Sequence, residues 1–547
     1  MSAAVVAAGS AAAGPAAAGP LVRLDRLSVA YGERTVVHEV SLEIAPGEIV
    51  AVVGESGSGK STTANAVLGL LPSGGRITGG SIALAGEDVT HAAEKRLRHL
   101  RGRFVGLVPQ DPMVGLNPTL RIGAQVAEAV RLRGVDRRSV DAEVLEALRQ
   151  SGIDDPELRA RQYPHELSGG LRQRALIAIA LAGRPRLIIA DEPTSALDVT
   201  VQKRLLDHLQ SLVREQGIAL LIITHDLAVA ADRADRVLVL REGKVVEQGP
   251  PAQILVAPRE EYTRELLAAA PGLGGELVPR FEHVEPAPEI VRVENVVKDF
   301  ALPGRRPPYR ALDDVSFSIR AGQTLALVGE SGSGKTTALR IALGLERASS
   351  GRVLVEGEDL TAASDRQWRP LRRRIQLVQQ NPSAALDPRF TVLESVVEPL
   401  VSFRIGDRAS RLERARELLD RVGLPGSFLS RLPAELSGGQ RQRVAIARAL
   451  ALGPDLVLLD EPVSALDVSV QAQILELLVE LQRDLGVAYL FVSHDLAVVA
   501  EVSHEVVVLD RGRVQEAGTT ARVFGAPAAE YTRTLLAAIP GRAAVRP

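Results

Sequence analysis

Two lysines each close a run of glycine and serine and stand directly before a hydroxyl residue. The runs are GESGSGKS (54–61) and GESGSGKT (329–336). In the first, Gly54, Glu55, Ser56, Gly57, Ser58, Gly59, Lys60, Ser61 and Thr62 follow an apolar segment and precede a helical pattern. Gly329, Glu330, Ser331, Gly332, Ser333, Gly334, Lys335, Thr336 and Thr337 repeat the arrangement. Both fit G-x-x-x-x-G-K-[ST]. Glycine lets the backbone wrap closely around a phosphate with successive N–H groups turned inward. The helix that follows adds its positive N-terminus. The pattern assigns Lys60 and Lys335 to terminal phosphates and the hydroxyls of Ser61 and Thr336 to a Mg²⁺ ion. One such match is readable as a flexible turn; two in the same context point to nucleotide phosphates.

Other residues with chemical potential recur in step. LIIADE and LVLLDE set Asp191 and Glu192, then Asp460 and Glu461, at the ends of apolar runs. In one isolated loop such acids read equally as solvated charges. Following a phosphate loop twice, Asp191 and Asp460 read as Mg²⁺ supports and Glu192 and Glu461 as the groups that polarise an attacking water. His225 and His494 each end another apolar run. A lone histidine there is commonly structural, but its recurrence favours a contact to the terminal phosphate. Gln110 in VPQDP and Gln380 in VQQNP read, from spacing alone, as turn residues. Ser168, Gly169 and Gly170 in one LSGG, and Ser437, Gly438 and Gly439 in the other, open long helical patterns. These suit either a second anion-binding helix start or a simple serine cap.

The elements that must position these groups alternate. EVSLEI and DVSFSI alternate polar and apolar residues, as half-buried antiparallel strands do. EIVAVV, LIIA, LLIIT, LVLL and YLFVS are continuous apolar runs that fit parallel strands buried on both faces. AEVLEALRQ and LERARELLDRVG are helical. The whole set occurs twice. Asp191/Asp460, Leu167/Leu436 and His225/His494 share one offset, whereas Lys60 and Lys335 stand about six residues farther apart, with LPGRRPPYR (302–310) holding the excess. EYTRELLAAAP (261–271) returns as EYTRTLLAAIP (530–540). A period this long is duplication of a whole domain of roughly 250 residues, not a solenoid. The division expected is a disordered tail over 1–20, a first domain over 21–270, a Pro/Gly/Glu-rich linker over 271–289, a second domain over 290–540 and a tail over 541–547. A flexible linker of about twenty residues reaches roughly 25 Å, enough for the two copies to face each other.

Composition excludes several alternatives. The 547 residues carry 65 basic and 67 acidic side chains, a balance with no electrostatic footprint for nucleic acid. The absence of cysteine excludes disulfides, iron–sulfur clusters and cysteine-type zinc sites. Apolar runs are short and interrupted by charge, so no membrane span is expected. The opening Ala/Gly/Pro stretch lacks the basic start of a signal peptide.

With these motifs in this order, the chain resembles the nucleotide-binding subunits of ABC transporters, from about Leu21 to Pro540. The resemblance implies an α/β fold: two tandem P-loop ATPase domains, each with a mostly parallel core sheet, an antiparallel β subdomain and a helical subdomain. It implies an ATP hydrolase of the translocase class, using ATP and Mg²⁺, with Glu192, Glu461, His225 and His494 catalytic. It makes LSGG the signature that binds the terminal phosphate held by the opposite domain, so that two ATP molecules are sandwiched head to tail. Tyr31 and Phe300 then resemble the aromatics that stack on adenine. Gln110 and Gln380 resemble the loop that contacts Mg²⁺ or the lytic water. Asp198 and Asp467, in SALD, resemble the segment crossing between domains. YPHELSGG, LPAELSGG, QDPMVGLNP, QNPSAALDP and the YTRxLLxAxP tails are similar to the peptide/nickel importer family, in which fused tandem forms serve glutathione and oligopeptide-like cargo. Leu171 departs from the Gln440 pattern after LSGG, as members of the family often do. Implied partners are two membrane permease subunits and an extracytoplasmic substrate-binding protein, at the cytoplasmic face of the membrane, with no nucleic acid. A ribosome-acting tandem ATPase fits less well, because its linker is long, charged and helical. A sugar-importer tandem ATPase usually shows one degraded site. The cargo is not written in these residues.

Overall fold

Ile49–Val53 and Thr324–Val328 are buried at every position, which is why their sequences are unbroken Ile, Val, Leu, Ala and Thr. In the computed structural model, which describes residues 19–541 apart from 195–196, 271, 274–276, 278, 282–285, 302–306 and 465, each lies inside a six-stranded sheet. The first sheet runs Lys244–Gly249, Arg236–Arg241, Ile49–Val53, Ala219–Thr224, Leu187–Asp191, Val105–Val108. All neighbours are parallel except the Lys244–Gly249 edge, which closes a hairpin on Arg236–Arg241. The second sheet repeats this with Arg513–Thr519, Glu505–Asp510, Thr324–Val328, Ala488–Ser493, Leu456–Asp460 and Ile375–Val378. Burying each large aliphatic side chain contributes about 1.5–3 kcal/mol, so these strands anchor the two cores.

The alternating segments form the expected antiparallel layer. Val22–Tyr31 pairs with Arg34–Ile44 and Gly75–Leu84 in the first copy; Glu289–Phe300 pairs with Tyr309–Arg320 and Ser350–Val355 in the second. Three helices pack together as a helical unit in each copy: Ile122–Leu132, Val140–Gln150 and Gly169–Ala182, then Val392–Ser402, Arg408–Arg421 and Gly438–Leu450. Each copy thus has the mixed architecture expected, and no helix among the described residues is long and apolar enough to cross a membrane.

Of the expected tail over 1–20, only the last two residues are described, and of 541–547 only Gly541; residues 302–306 of the extra segment also lie outside the described residues. In the linker, Leu273 packs against the first copy's core, whereas Arg280 and Phe281 dock on the second copy. Arg280 pairs with Glu476 at 2.6 Å and donates its N–H to the Ala500 carbonyl, while Phe281 stacks on His504 with ring centroids 3.9 Å apart. The second copy's first strand starts at Glu289, one residue inside the expected linker.

Candidate functional site

Each phosphate loop joins a buried strand to a helix whose start carries no side-chain cap. Gly59 and Gly334, at φ 95° and 103°, precede Lys60–Leu68 and Lys335–Ala342. The first N–H groups of these helices therefore remain directed at the loop. Gly54 has φ 150°, and a Cβ there would lie 2.2 Å from the Leu240 carbonyl oxygen; at Gly329 the same atom would lie 2.1 Å from that of Leu509. Any larger residue at either position would push the loop off its sheet. Gly57 and Gly332, also at positive φ, face open space. Lys60 Nζ bridges the carbonyls of Gly54 and Glu55 at 2.7 and 2.8 Å; Lys335 bridges those of Gly329 and Glu330 at 2.8 and 2.9 Å. Burial lowers both lysine pKa values, against nearby carboxylates that raise them.

The acids meet these loops as the spacing requires. Ser61 donates to Asp191 Oδ1 at 3.1 Å, and Thr336 to Asp460 Oδ1 at 3.4 Å. Burial raises the pKa of both aspartates. Glu192 and Glu461 adopt left-handed backbone, φ 44° and 46°, a costly conformation for a non-glycine residue that clusters at functional sites. Gln110 donates to Glu192 Oε2 at 2.8 Å, and His225 Nδ1 lies 3.2 Å from Oε1. In the second copy the distances are 2.8 Å for Gln380 and 3.3 Å for His494. Burial opposes the glutamate charges, yet the hydrogen bonds and charges of histidine and lysine hold both carboxyls below their ordinary values. Burial likewise opposes charge on His225 and His494, and the adjacent glutamates raise both. Each Glu–His contact is an ion pair where the histidine is protonated. Gln110 and Gln380, which spacing made turn residues, sit directly on the acids.

The two copies face each other. Asp198 caps the helix Val199–Gln216 by accepting from Val201 N, and its other oxygen accepts from Ser331 N at 3.2 Å, in the opposite phosphate loop. Thr200 donates to the Glu330 carboxylate. Asp467 reciprocally faces the first phosphate loop, lining one cavity with Ser56; burial raises its pKa. A cavity between the copies is lined by Glu192, His225, Glu461 and His494 together.

Ser168 and Ser437 are not among the residues that line the cavities at the phosphate loops. Their hydroxyls accept from Leu171 N and Gln440 N at 3.5 and 3.3 Å, the capping role open to them from sequence. Phe300 lines the cavity at the second loop beside Lys335 and Thr336. Tyr31 ends the equivalent strand, paired with Arg34. Sequence reasoning missed Tyr309, which pairs with Phe300 across the strands and shares its cavity. It also missed Tyr262 and Tyr531, whose hydroxyls accept from Glu55 N and Glu330 N at 3.2 and 3.1 Å. The repeated EYT tail was the available signal.

The donor set fits a nucleotide with Mg²⁺. The uncapped helix starts after Gly59 and Gly334, and the open space at Gly57 and Gly332, leave a cradle of backbone N–H groups for phosphate oxygens. A hydroxyl and one carboxylate supply the hard oxygens that Mg²⁺ takes from protein when phosphates and water provide the rest.

Comparison with known proteins gives the same result over more than nine tenths of the chain. The ABC transporter family model matches residues 37–195 and 312–464. The glutathione import ATP-binding protein GsiA of Salmonella typhimurium is 43% identical over 537 residues, covering 92% of this chain and 86% of its own. The peptidoglycan transport ATP-binding protein YejF of Agrobacterium fabrum is 44% identical, covering 95% and 96%. An ABC transporter ATP-binding protein YejF of Escherichia coli K12, named as uncharacterized, is 45% identical, covering 94% and 99%. With two intact phosphate loops and two acid pairs built on matching sheets, this chain belongs to the ABC transporter family, as an ATP-binding and ATP-hydrolysing protein that carries the family's ATPase domain twice.

Proposed function

We propose that the chain is the ATPase subunit of an importer, energising uptake of short peptides or a related small solute through separate membrane permease subunits, fed by an extracytoplasmic binding protein. It would work at the cytoplasmic face of the membrane. The observation that carries this reading is the likeness, over more than nine tenths of the chain, to proteins named for glutathione import and peptidoglycan transport, both cargoes that contain peptide bonds.

In this reading the domains span 21–270 and 290–540. The loops 54–61 and 329–336 wrap the phosphates with backbone N–H groups, and Lys60 and Lys335 add positive charge. Ser61 with Asp191, and Thr336 with Asp460, would hold Mg²⁺, which neutralises charge on the phosphates when bound. Glu192 and Glu461 accept the proton of the attacking water. His225 and His494 orient them and contact the terminal phosphate. Gln110 and Gln380 each donate to one glutamate oxygen and so stand beside the attacking water's position. Tyr31, Phe300 and Tyr309 flank the base. Ser168 serves the nucleotide on Lys335, and Ser437 the one on Lys60.

The test is to purify the tagged chain from detergent-solubilised membranes and identify what accompanies it. Two permease proteins are expected. Stable co-sedimentation with ribosomes, and no membrane partner, would overturn the importer reading.

A further inference from the structure

The repeated EYT tails have no part in the chemistry above, yet each ends on a phosphate loop. Tyr262 lies in the tail helix Glu261–Ala269 and Tyr531 in Glu530–Ala537. A buried glutamate fixes the entry to each helix. Glu247 accepts from Arg259 N and Glu260 N at 2.9 and 3.2 Å, and Glu516 from Ala528 N and Ala529 N at 3.0 and 3.1 Å. Arg241 lies 4.7 Å from the Tyr262 ring centroid. The tail helices also cross between copies. Glu261–Ala269 packs on Val468–Leu485 of the second copy, and Glu530–Ala537 packs on Val199–Gln216 of the first.

Those two partner helices are the ones that Asp467 and Asp198 begin. Each phosphate loop therefore meets a linked pair at two successive residues. In the first loop, Tyr262 takes Glu55 N–H and Asp467 faces Ser56 across one cavity. In the second, Tyr531 takes Glu330 N–H and Asp198 takes Ser331 N–H. One member of each pair comes from the loop's own copy and the other from the opposite copy, and their helices touch.

We propose that Tyr262 and Tyr531 are positioning residues for nucleotide binding. Each ties its own phosphate loop to the helix through which the opposite copy reports on that loop. The hydroxyl, rather than the ring, carries this role, because it is the atom that meets the loop. The proposal rests on the assignment of both loops as ATP sites.

The experiment isolates one loop at a time in the full chain. In a Lys335→Ala background, the fluorescent analogue trinitrophenyl-ATP reports on the first loop, and its loss on adding Lys60→Ala checks that the loop is the binding site. Tyr262→Phe in that background is expected to weaken binding about 3- to 10-fold, the effect of one hydrogen bond, with the melting temperature of the nucleotide-free chain unchanged. Tyr531→Phe in the same background should leave first-loop affinity unchanged. Tyr489→Phe is the structural control: its hydroxyl donates to the Leu478 carbonyl, away from either loop, so it should lower the melting temperature without altering affinity. Pairing Tyr262→Phe with Asp467→Ala should give a non-additive loss. Unchanged affinity in Tyr262→Phe, or a fall in melting temperature alone, would overturn the proposal. An additive double variant would overturn the linkage between copies.

Discussion

In the first site Gln110 stands 2.8 Å from Glu192 and His225 3.2 Å; in the second, Gln380 stands 2.8 Å from Glu461 and His494 3.3 Å. Both glutamates share the same uncommon backbone. Around these matching centres the copies diverge. The second site has Phe300 facing Tyr309, with Lys298 Nζ 4.7 Å from the Phe300 ring centroid, where the first has Tyr31 facing Arg34. Gln440 accepts from Ser437 N at 2.9 Å, where Leu171 instead packs against the core. The loop after Gln110 exposes Met113 and Val114, where the loop after Gln380 carries Ser383 and Ala384. The positions proposed to handle phosphate and water share one geometry in the two copies, and the positions at the rim differ. The copies are therefore expected to share chemistry and differ in affinity.

The strongest way to break that equivalence is at the acids. Glu192→Gln or Glu461→Gln should retain bound ATP and slow hydrolysis at its own site about 10²–10⁴-fold, measured as single-turnover hydrolysis with the opposite lysine replaced by alanine. If either change leaves the ATPase rate of the assembled transporter untouched, that site is not hydrolytic.

The ion pairs give a second comparison, now between pH values. The glutamate carboxyls are held below their ordinary value and the imidazoles above theirs. Stabilisation from the glutamate is present above the ordinary carboxylate value and is lost as pH falls through the lowered one. Stabilisation from the histidine is present below its ordinary value of about 6.5 and is lost as pH rises through the raised one. Melting temperature should therefore decline on the alkaline side, and a His225→Ala/His494→Ala double variant should flatten that decline. An equal alkaline slope in both proteins would show that the pairs contribute nothing to folding.

The smallest effect is expected at the rim. Tyr309→Ala should weaken nucleotide binding at the second loop about 2- to 10-fold, the worth of one aromatic contact, and leave the first loop unchanged. Titration of each loop in the opposite-lysine background measures this; equal losses at both loops would mean that the aromatic pair is not a feature of one site.

Much of this was legible in the sequence. The apolar runs predicted the parallel sheets because strands buried on both faces admit few polar residues. The alternating segments predicted the antiparallel layer for the opposite reason. The phosphate loops and acids were legible because glycine spacing and carboxylate placement follow directly from phosphate chemistry. Tyr262 and Tyr531 were not, since each matters through a contact made far along the chain, and periodicity says which face of an element is buried without saying what covers it. Thr200 and Asp198 meet Glu330 and Ser331 only once the copies are docked, so spacing carried no trace of the contact. Spacing makes Gln110 a turn residue, and its loop does form a tight helical start with Asp111 capping Met113, but local pattern does not show that its side chain points back to Glu192.

The central claim is that the two copies within one chain complete each other's sites. Asp198 on the Lys335 loop and Asp467 on the Lys60 loop motivate it. The direct measurement is azido-ATP photolabelling of a Ser168→Arg variant, followed by proteolysis in the linker to separate the halves. The bulky cation should block the terminal-phosphate position opposite it, so hydrolysis-dependent trapping of label should fall in the half that carries Lys335 and persist in the half that carries Lys60. A loss confined to the half that carries the substitution would contradict the account.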